Sequence, residues 1–245
     1  MISPKIHTKP FGLHAILVEW PMEVSEVILN NILQFETFLK NHCLEESDWE
    51  YVSAYNSLLI VNKKVTLDYA SFSEKLQHWY VSMGEKKPYQ KYLWRLPVSY
   101  EKEFGIDLDE ISQQLSLTET EIIALHTSHI YTVYGIGFLP GFMYLGGLPK
   151  VLETARKNTP RMVVKKGAVG IAGKQTGIYP QESPGGWNII GSCPVPIFDA
   201  TKKEPCFVAV GDQIQFYKVS RAKYDLHKIE VEVGIYTPEK IKIDA

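Results

Sequence analysis

YGIGFLPGFMYLGGLP (134–149) and TPRMVVKKGAVGIAGKQTGIYPQESPGGWNIIG (159–191) decide how this chain folds. Glycine and proline are concentrated here and separate short runs of β-formers: MVVKKG, AVGIAG, GIYP and WNIIG. Runs this short, with a turn every eight to twelve residues or so, predict a closed or nearly closed barrel. The pattern continues through CFVAVGDQIQFYKV (206–219), where Gly211-Asp212 marks a turn before the last long strand. Upstream, IYTVYGIGF (130–138) alternates as a strand, KYLWRLPVSY (91–100) starts the β region, and 107–115 and 118–128 read as two helices. Thr118 and Glu121 form a capping box on the second helix. Residues 220–232 read equally as helix or strand.

The amino-terminal part reads differently. LHAILVEW (13–20) is a buried-strand run stopped by Pro21, and 23–42 carries Val27, Ile28, Ile32, Phe35, Phe38 and Leu39 at helical spacing behind a Ser25 N-cap. WEYVSAY (49–55) and SLLIVNK (57–63) are two strands bent at Asn56, and a Ser71/Glu74 capping box starts a helix to Met83. Strand, helix, two strands, helix describes a small ferredoxin-like α/β layer, so the chain as a whole is expected to be α+β. GEKKP (84–88) is the expected linker, which divides the chain into domains 1–86 and 87–245.

Bulk properties exclude several functions. The 245 residues are 45% hydrophobic, 22% charged and 12% aromatic, a globular composition, with net charge −2. Such a balance argues against nucleic acid and membrane as partners. Three unclustered cysteines, Cys43, Cys193 and Cys206, support neither a disulfide scaffold nor a cysteine metal site, so cytoplasmic localisation is expected. There is no phosphate-loop, nucleophile-elbow or dinucleotide fingerprint.

A few residues have a chemistry of interest. Arg161 follows Thr159-Pro160, so its planar guanidinium has a fixed base from which to meet a carboxylate or phosphate; a strand-end surface arginine is the equal alternative. GIAGKQTG (170–177) combines glycines with Gln175 and Thr176, as a barrel hairpin or as a backbone close to a ligand. Gly185-Gly186-Trp187 presents a large ring, either as a core plug or as a ligand platform. His126 and His129 share a helical face, but their place in the last turn complements the helix dipole, so no metal is expected; His126 alone is an acid/base candidate.

Taken in order, GFLPGFMYLGGLP, TPR, GAVGIAGKQTGIYP and SPGGWNIIG resemble the B-subunit family of 5-oxoprolinase (PxpB), also called allophanate hydrolase subunit 1, which includes the sporulation histidine-kinase inhibitor KipI. The resemblance implies an α/β domain followed by a cyclophilin-like β-barrel. It also implies a hydrolase component, inactive alone, that acts with a homologous C component and an A component to convert 5-oxo-L-proline to L-glutamate using ATP and Mg2+. In that reading His126, Arg161 and Gln175 are catalytic. Phe138, Gly141, Tyr144, Gly173, Thr176, Tyr179, Ser183, Gly185, Gly186 and Trp187 bind substrate. Inhibition of a histidine kinase and a urea- or allophanate-related carboxylase role are the alternatives. The chain departs from the family pattern at Ser99–Asp107, at Glu153–Arg156, and at Ser192-Cys193, where the family carries arginine-threonine.

Overall fold

The computed structural model describes residues 4–84 and 89–243, and its internal contacts divide the chain at Lys91–Tyr92. Most of the expected linker, residues 85–88, lies outside the described residues.

In the first unit, β1 (His7–Phe11), β2 (Ala15–Glu19), β3 (Trp49–Ala54) and β4 (Ser57–Asn62) form an antiparallel sheet in the order β1-β2-β4-β3. Helices α1 (Glu26–His42) and α2 (Tyr69–Ser82) supply Ile28, Ile32, Phe35, Leu39, Phe72 and Leu76 to a core completed by Ile16, Val18, Leu58 and Ile60. Because β4 runs antiparallel to both β2 and β3, the segment β2-α1-β3 is a split βαβ unit. The fourth strand is not the one a ferredoxin-like layout supplies after the second helix. β1 takes that edge from the amino-terminal side, and its Pro10 is tolerated because an edge strand has one unpaired side. The start of α2 also differs from expectation: the Asp68 carboxylate accepts from the Ser71 amide at 3.2 Å, so the cap lies three residues before Ser71.

The second unit is built on β5 (Lys91–Val98), β6 (Ile130–Ile136), β7 (Met143–Gly146), β9 (Ala168–Ala172), β10 (Gln175–Ile178), β12 (Asn188–Ser192), β13 (Gln213–Lys218) and β14 (Glu239–Ile243). They form one eight-stranded sheet, β12-β9-β10-β7-β6-β13-β5-β14. A separate pair is made by β8 (Arg161–Val164) and β11 (Ser183–Gly185). Helices α3 (Leu108–Leu115), α4 (Glu119–Ser128) and α5 (Arg221–Glu232) complete the unit, and the Thr118/Glu121 capping box on α4 forms as expected.

No closed barrel is found among the described residues. The sheet curls until Ser99 exchanges two backbone hydrogen bonds of 2.9 Å with Ser192, but this is a single bridge and not a ladder. The outer edge of β5 is taken by β14 instead, a strand that the sequence patterning does not indicate. The fold is mixed α/β with large sheets. No helix among the described residues is long and apolar enough to cross a membrane.

Candidate functional site

The segment between β5 and α3 positions the central charge of the site. Asp107 precedes α3 and is only 2% exposed. Its backbone amide donates to Ile189 O at 3.0 Å, and its Oδ2 accepts from the Ile189 amide at 2.6 Å, which pins the carboxylate to β12. Oδ1 receives Arg161 Nη2 at 2.5 Å and Lys157 Nζ at 3.0 Å. Lys157 also reaches Glu110 at 2.6 Å, and burial is offset there by these two carboxylates, which raise its pKa. One buried carboxylate thus holds two cations in place. Both cations belong to the 157–161 segment, which is tied to the glycine bend by Lys157 N donating to Gly186 O at 2.7 Å and by β8–β11 pairing of Arg161 with Gly185.

Arg161 stands on the wall of a cleft of about 150 Å³. Phe104, Ile106, Val163, Val164, Ile189 and Gly191 make that wall mainly apolar, and Lys165 and Glu103 supply the other charges. A second cleft of about 500 Å³ shares Phe104, Lys165 and Ser192 with it. Ser192, the position where an arginine is expected from the family pattern, therefore lines both, and its Oγ lies 3.0 Å from Tyr224 Oη.

His126 is set differently from the acid/base role expected of it. It is fully buried on α4, stacked on Phe216 at 4.8 Å, with Nδ1 2.7 Å from Tyr100 Oη and Nε2 2.9 Å from Thr176 Oγ1. Thr176 spends its only proton on Gly170 O at 3.0 Å, so it accepts from Nε2–H, and Nδ1 accepts from Tyr100. Burial pushes the His126 pKa down to about 3, with His129 adding to the shift. The ring is neutral and both nitrogens are engaged inside the core, which leaves it no route to a ligand. Thr176, also fully buried, is its partner and not an exposed substrate contact.

This burial has a pH consequence. Below about pH 6.5 the unfolded chain protonates His126 while the folded chain does not, so stability falls as pH drops from about 6.5 toward about 3. The slope from this group is about 1.4 kcal/mol per pH unit. Urea unfolding of a His126→Gln variant between pH 4 and 7 should show lower stability at pH 7 but a slope shallower by one proton than the parent.

The aromatic residues gather on their own. Phe142, Tyr179, Trp187, Val164, Ala168, Ala172 and Ile189 form a small core cluster, with Tyr144 against its side. Phe142 meets Tyr144, Tyr179 and Trp187 edge-on at 5.0, 5.3 and 5.3 Å. Trp187 is therefore a core plug, 5% exposed. Gly185 is required by packing, because a Cβ there would collide with the Tyr179 hydroxyl and ring. Gly186 lies beside Lys157 O and Pro160, and Gly141 backs onto Phe198. Phe138 differs from the rest: it is 68% exposed with φ +68°, and its ring meets Phe142 at 5.9 Å. Gly173 turns the β9–β10 hairpin and donates to Thr154 O at 2.6 Å, while Gln175 opens β10 opposite Gly146 and Ala172. Ser183 is buried on β11.

Of the expected residues, Arg161, Gly185 and Gly186 come together around Asp107 and Lys157, whereas Gln175 and Gly173 lie at a hairpin that does not line either cleft. Asp107, Lys157, Phe104 and Lys165 do not stand out in the sequence. Their partners are tens of residues away along the chain, and the only local hint is an aspartate immediately before an amphipathic helix. Among the described residues no group of three or more His, Cys, Asp or Glu is gathered as a metal ion requires.

Comparison with known proteins places the chain. The family description "Carboxyltransferase domain, subdomain C and D" matches residues 6–208. The chain is 36% identical over 166 residues to the 5-oxoprolinase B subunit of Bacillus subtilis, covering 68% of this chain and 69% of that one. It is 38% identical over 183 residues to the 5-oxoprolinase B subunit of Haemophilus influenzae, covering 75% and 85%. The crystal structure of Kluyveromyces lactis urea carboxylase aligns with 99% of this chain and 24% of its own at a TM-score of 0.78, and at 19% identity it shows the fold alone. With a family match over most of its length and these relatives, the chain belongs to the B-subunit family of 5-oxoprolinase, within the carboxyltransferase domain C and D family.

Proposed function

We propose that this chain is the B component of an ATP-dependent 5-oxoprolinase, working with a homologous C component and an A component to open 5-oxo-L-proline to L-glutamate. Relatives of that name are 36% and 38% identical to it. The observation that carries the reading in this chain is Arg161, fixed by the buried Asp107 beside a small, mainly apolar cleft. A five-membered lactam bearing one carboxylate suits such a cleft: the ring against Ile106, Val163 and Ile189, and an oxyanion or carboxylate against the guanidinium.

The chemistry also accounts for a nucleotide. A lactam is stabilised by amide resonance, and phosphorylation of its carbonyl oxygen makes the ring carbon open to water. One oxygen–phosphorus bond forms to the lactam as the terminal phosphoryl leaves ADP; one water then adds to the ring carbon and the ring C–N bond breaks to leave an acyl phosphate, and a second water releases phosphate and the open amino acid. In this scheme Arg161 faces negative charge that grows on the reacting oxygens. Magnesium would travel on the nucleotide's phosphates, since the described residues gather no carboxylate cluster for it.

Arg161→Ala in the reconstituted three-component enzyme should lower 5-oxoproline-dependent turnover by about a hundredfold or more, the usual scale for losing one preorganised charge contact at a reacting oxygen. Arg161→Lys should recover little, because an ammonium does not replace a planar fork. Full activity in the alanine variant, with its fold confirmed by circular dichroism, would remove Arg161 from the site.

A further inference from the structure

The function proposed above seats the lactam in the smaller of two adjoining clefts and gives the larger one no ligand. It encloses about 500 Å³, within the roughly 300–1,000 Å³ typical of small-ligand sites. Three lysines face it from two separate parts of the unit: Lys165 and Lys166 from the turn between β8 and β9, and Lys228 from α5. The nearby acids neutralise them only in part. Asp225 is bound by Arg221 at 2.7 Å, and Arg221 also engages Glu103, so this trio keeps one net negative charge. Asp199 feels Lys166, but its carboxylate is held first by Thr201. Glu232 is the other counter-charge on the wall, so the three lysines leave the cleft net positive.

The turn carrying the lysines is itself fixed. Gly167 has φ +84°, donates to Tyr179 O at 2.8 Å, and accepts from the Cys193 amide at 2.8 Å. This locks the two preceding lysines beside the cleft. Phe104 and Tyr224 also line the cleft, with ring centroids 4.5 Å apart. The cleft therefore combines aromatic faces with cations, the two properties needed for a flat heterocycle and a chain of phosphates.

We propose that this cleft binds a nucleoside triphosphate, with its phosphates taken by Lys165, Lys166 and Lys228. A phosphorylated ligand follows from the charge and shape of the cleft; the choice of a nucleoside triphosphate rests on the function proposed above. Lys165 lines both clefts, so a phosphate that it holds lies beside the cleft of Arg161.

The test is isothermal titration of the full-length chain, without partners, with ATP, inorganic tripolyphosphate and adenosine at low salt. Wild type should bind ATP and tripolyphosphate, and adenosine at least tenfold more weakly. The triple variant Lys165→Ala, Lys166→Ala, Lys228→Ala should lose at least tenfold for both phosphates, and the corresponding triple arginine variant should retain them. No binding of either phosphate by wild type, or equal binding by the triple alanine variant, overturns the proposal. Loss of binding in the alanine variant from a complex that never opens 5-oxoproline would keep this site and remove the proposed reaction. An unchanged KM for ATP in an active complex carrying the triple alanine variant would remove this site and keep the reaction.

Discussion

Asp107→Ala is expected to be among the most damaging single substitutions in the second unit. The carboxylate is 2% exposed and accepts from the Ile189 amide, Arg161 and Lys157 at once. Removing one partner of a buried ion pair costs roughly 3–5 kcal/mol, because the other charge is left without compensation. Here the side chains of Arg161 and Lys157 keep 29% and 17% exposure, so water recovers part of that, and about 3 kcal/mol is the expected loss. The Ile189 amide loses its acceptor as well, which places the effect above that of a surface ion pair. Urea unfolding should show this loss, and the assembled complex should lose turnover with it, because Arg161 no longer has a fixed direction. Asp107→Asn separates the two effects: it keeps an acceptor for the Ile189 amide but not the charge. It should therefore recover part of the stability while turnover stays low. Unchanged stability in Asp107→Ala would show that the carboxylate does not organise these cations.

Gly167→Ala is expected to be comparably harmful for a different reason. The residue has φ +84°, a region that costs an L-residue roughly 1–2 kcal/mol. A Cβ there would also lie 2.5 Å from Cys193 O, which is backbone and cannot rotate away. Overpacking of this kind adds about 1–3 kcal/mol, for a combined expected loss of roughly 2–5 kcal/mol. The local movement would displace Lys165 and Lys166 along with the turn. The melting temperature should fall, and tripolyphosphate binding should weaken further than stability alone predicts. A variant with wild-type melting temperature would contradict the turn geometry.

Sequence patterning locates the elements whose signals are local. The Thr118/Glu121 box, the apolar period of α1 and the bend at Asn56 are each written within a few residues, and each forms. The expected barrel does not close because short β runs report strand number and spacing but not what pairs at the sheet's edge. That is decided by β14, whose sequence EKIKI is largely charged, and by the reduction of the β5–β12 contact to Ser99–Ser192. The α2 cap falls at Asp68 and not at Ser71 because both satisfy the composition rule and only the backbone geometry chooses between them. In the site, Arg161 is visible from its proline neighbour. Asp107 and Lys157 are not, since an ion pair between residues 50 apart or more leaves no local period. His126 stands out as a titratable group, yet Tyr100 and Thr176, which make it a neutral core residue, reach it from distant parts of the chain.

The most direct measurement of the proposed function is ATP hydrolysis by this chain co-purified with the proposed C and A components, assayed with and without 5-oxoproline. The proposal predicts hydrolysis that depends on 5-oxoproline, with one glutamate released for each ATP consumed. ATP hydrolysis indifferent to 5-oxoproline, or no hydrolysis by a correctly assembled complex, would contradict it.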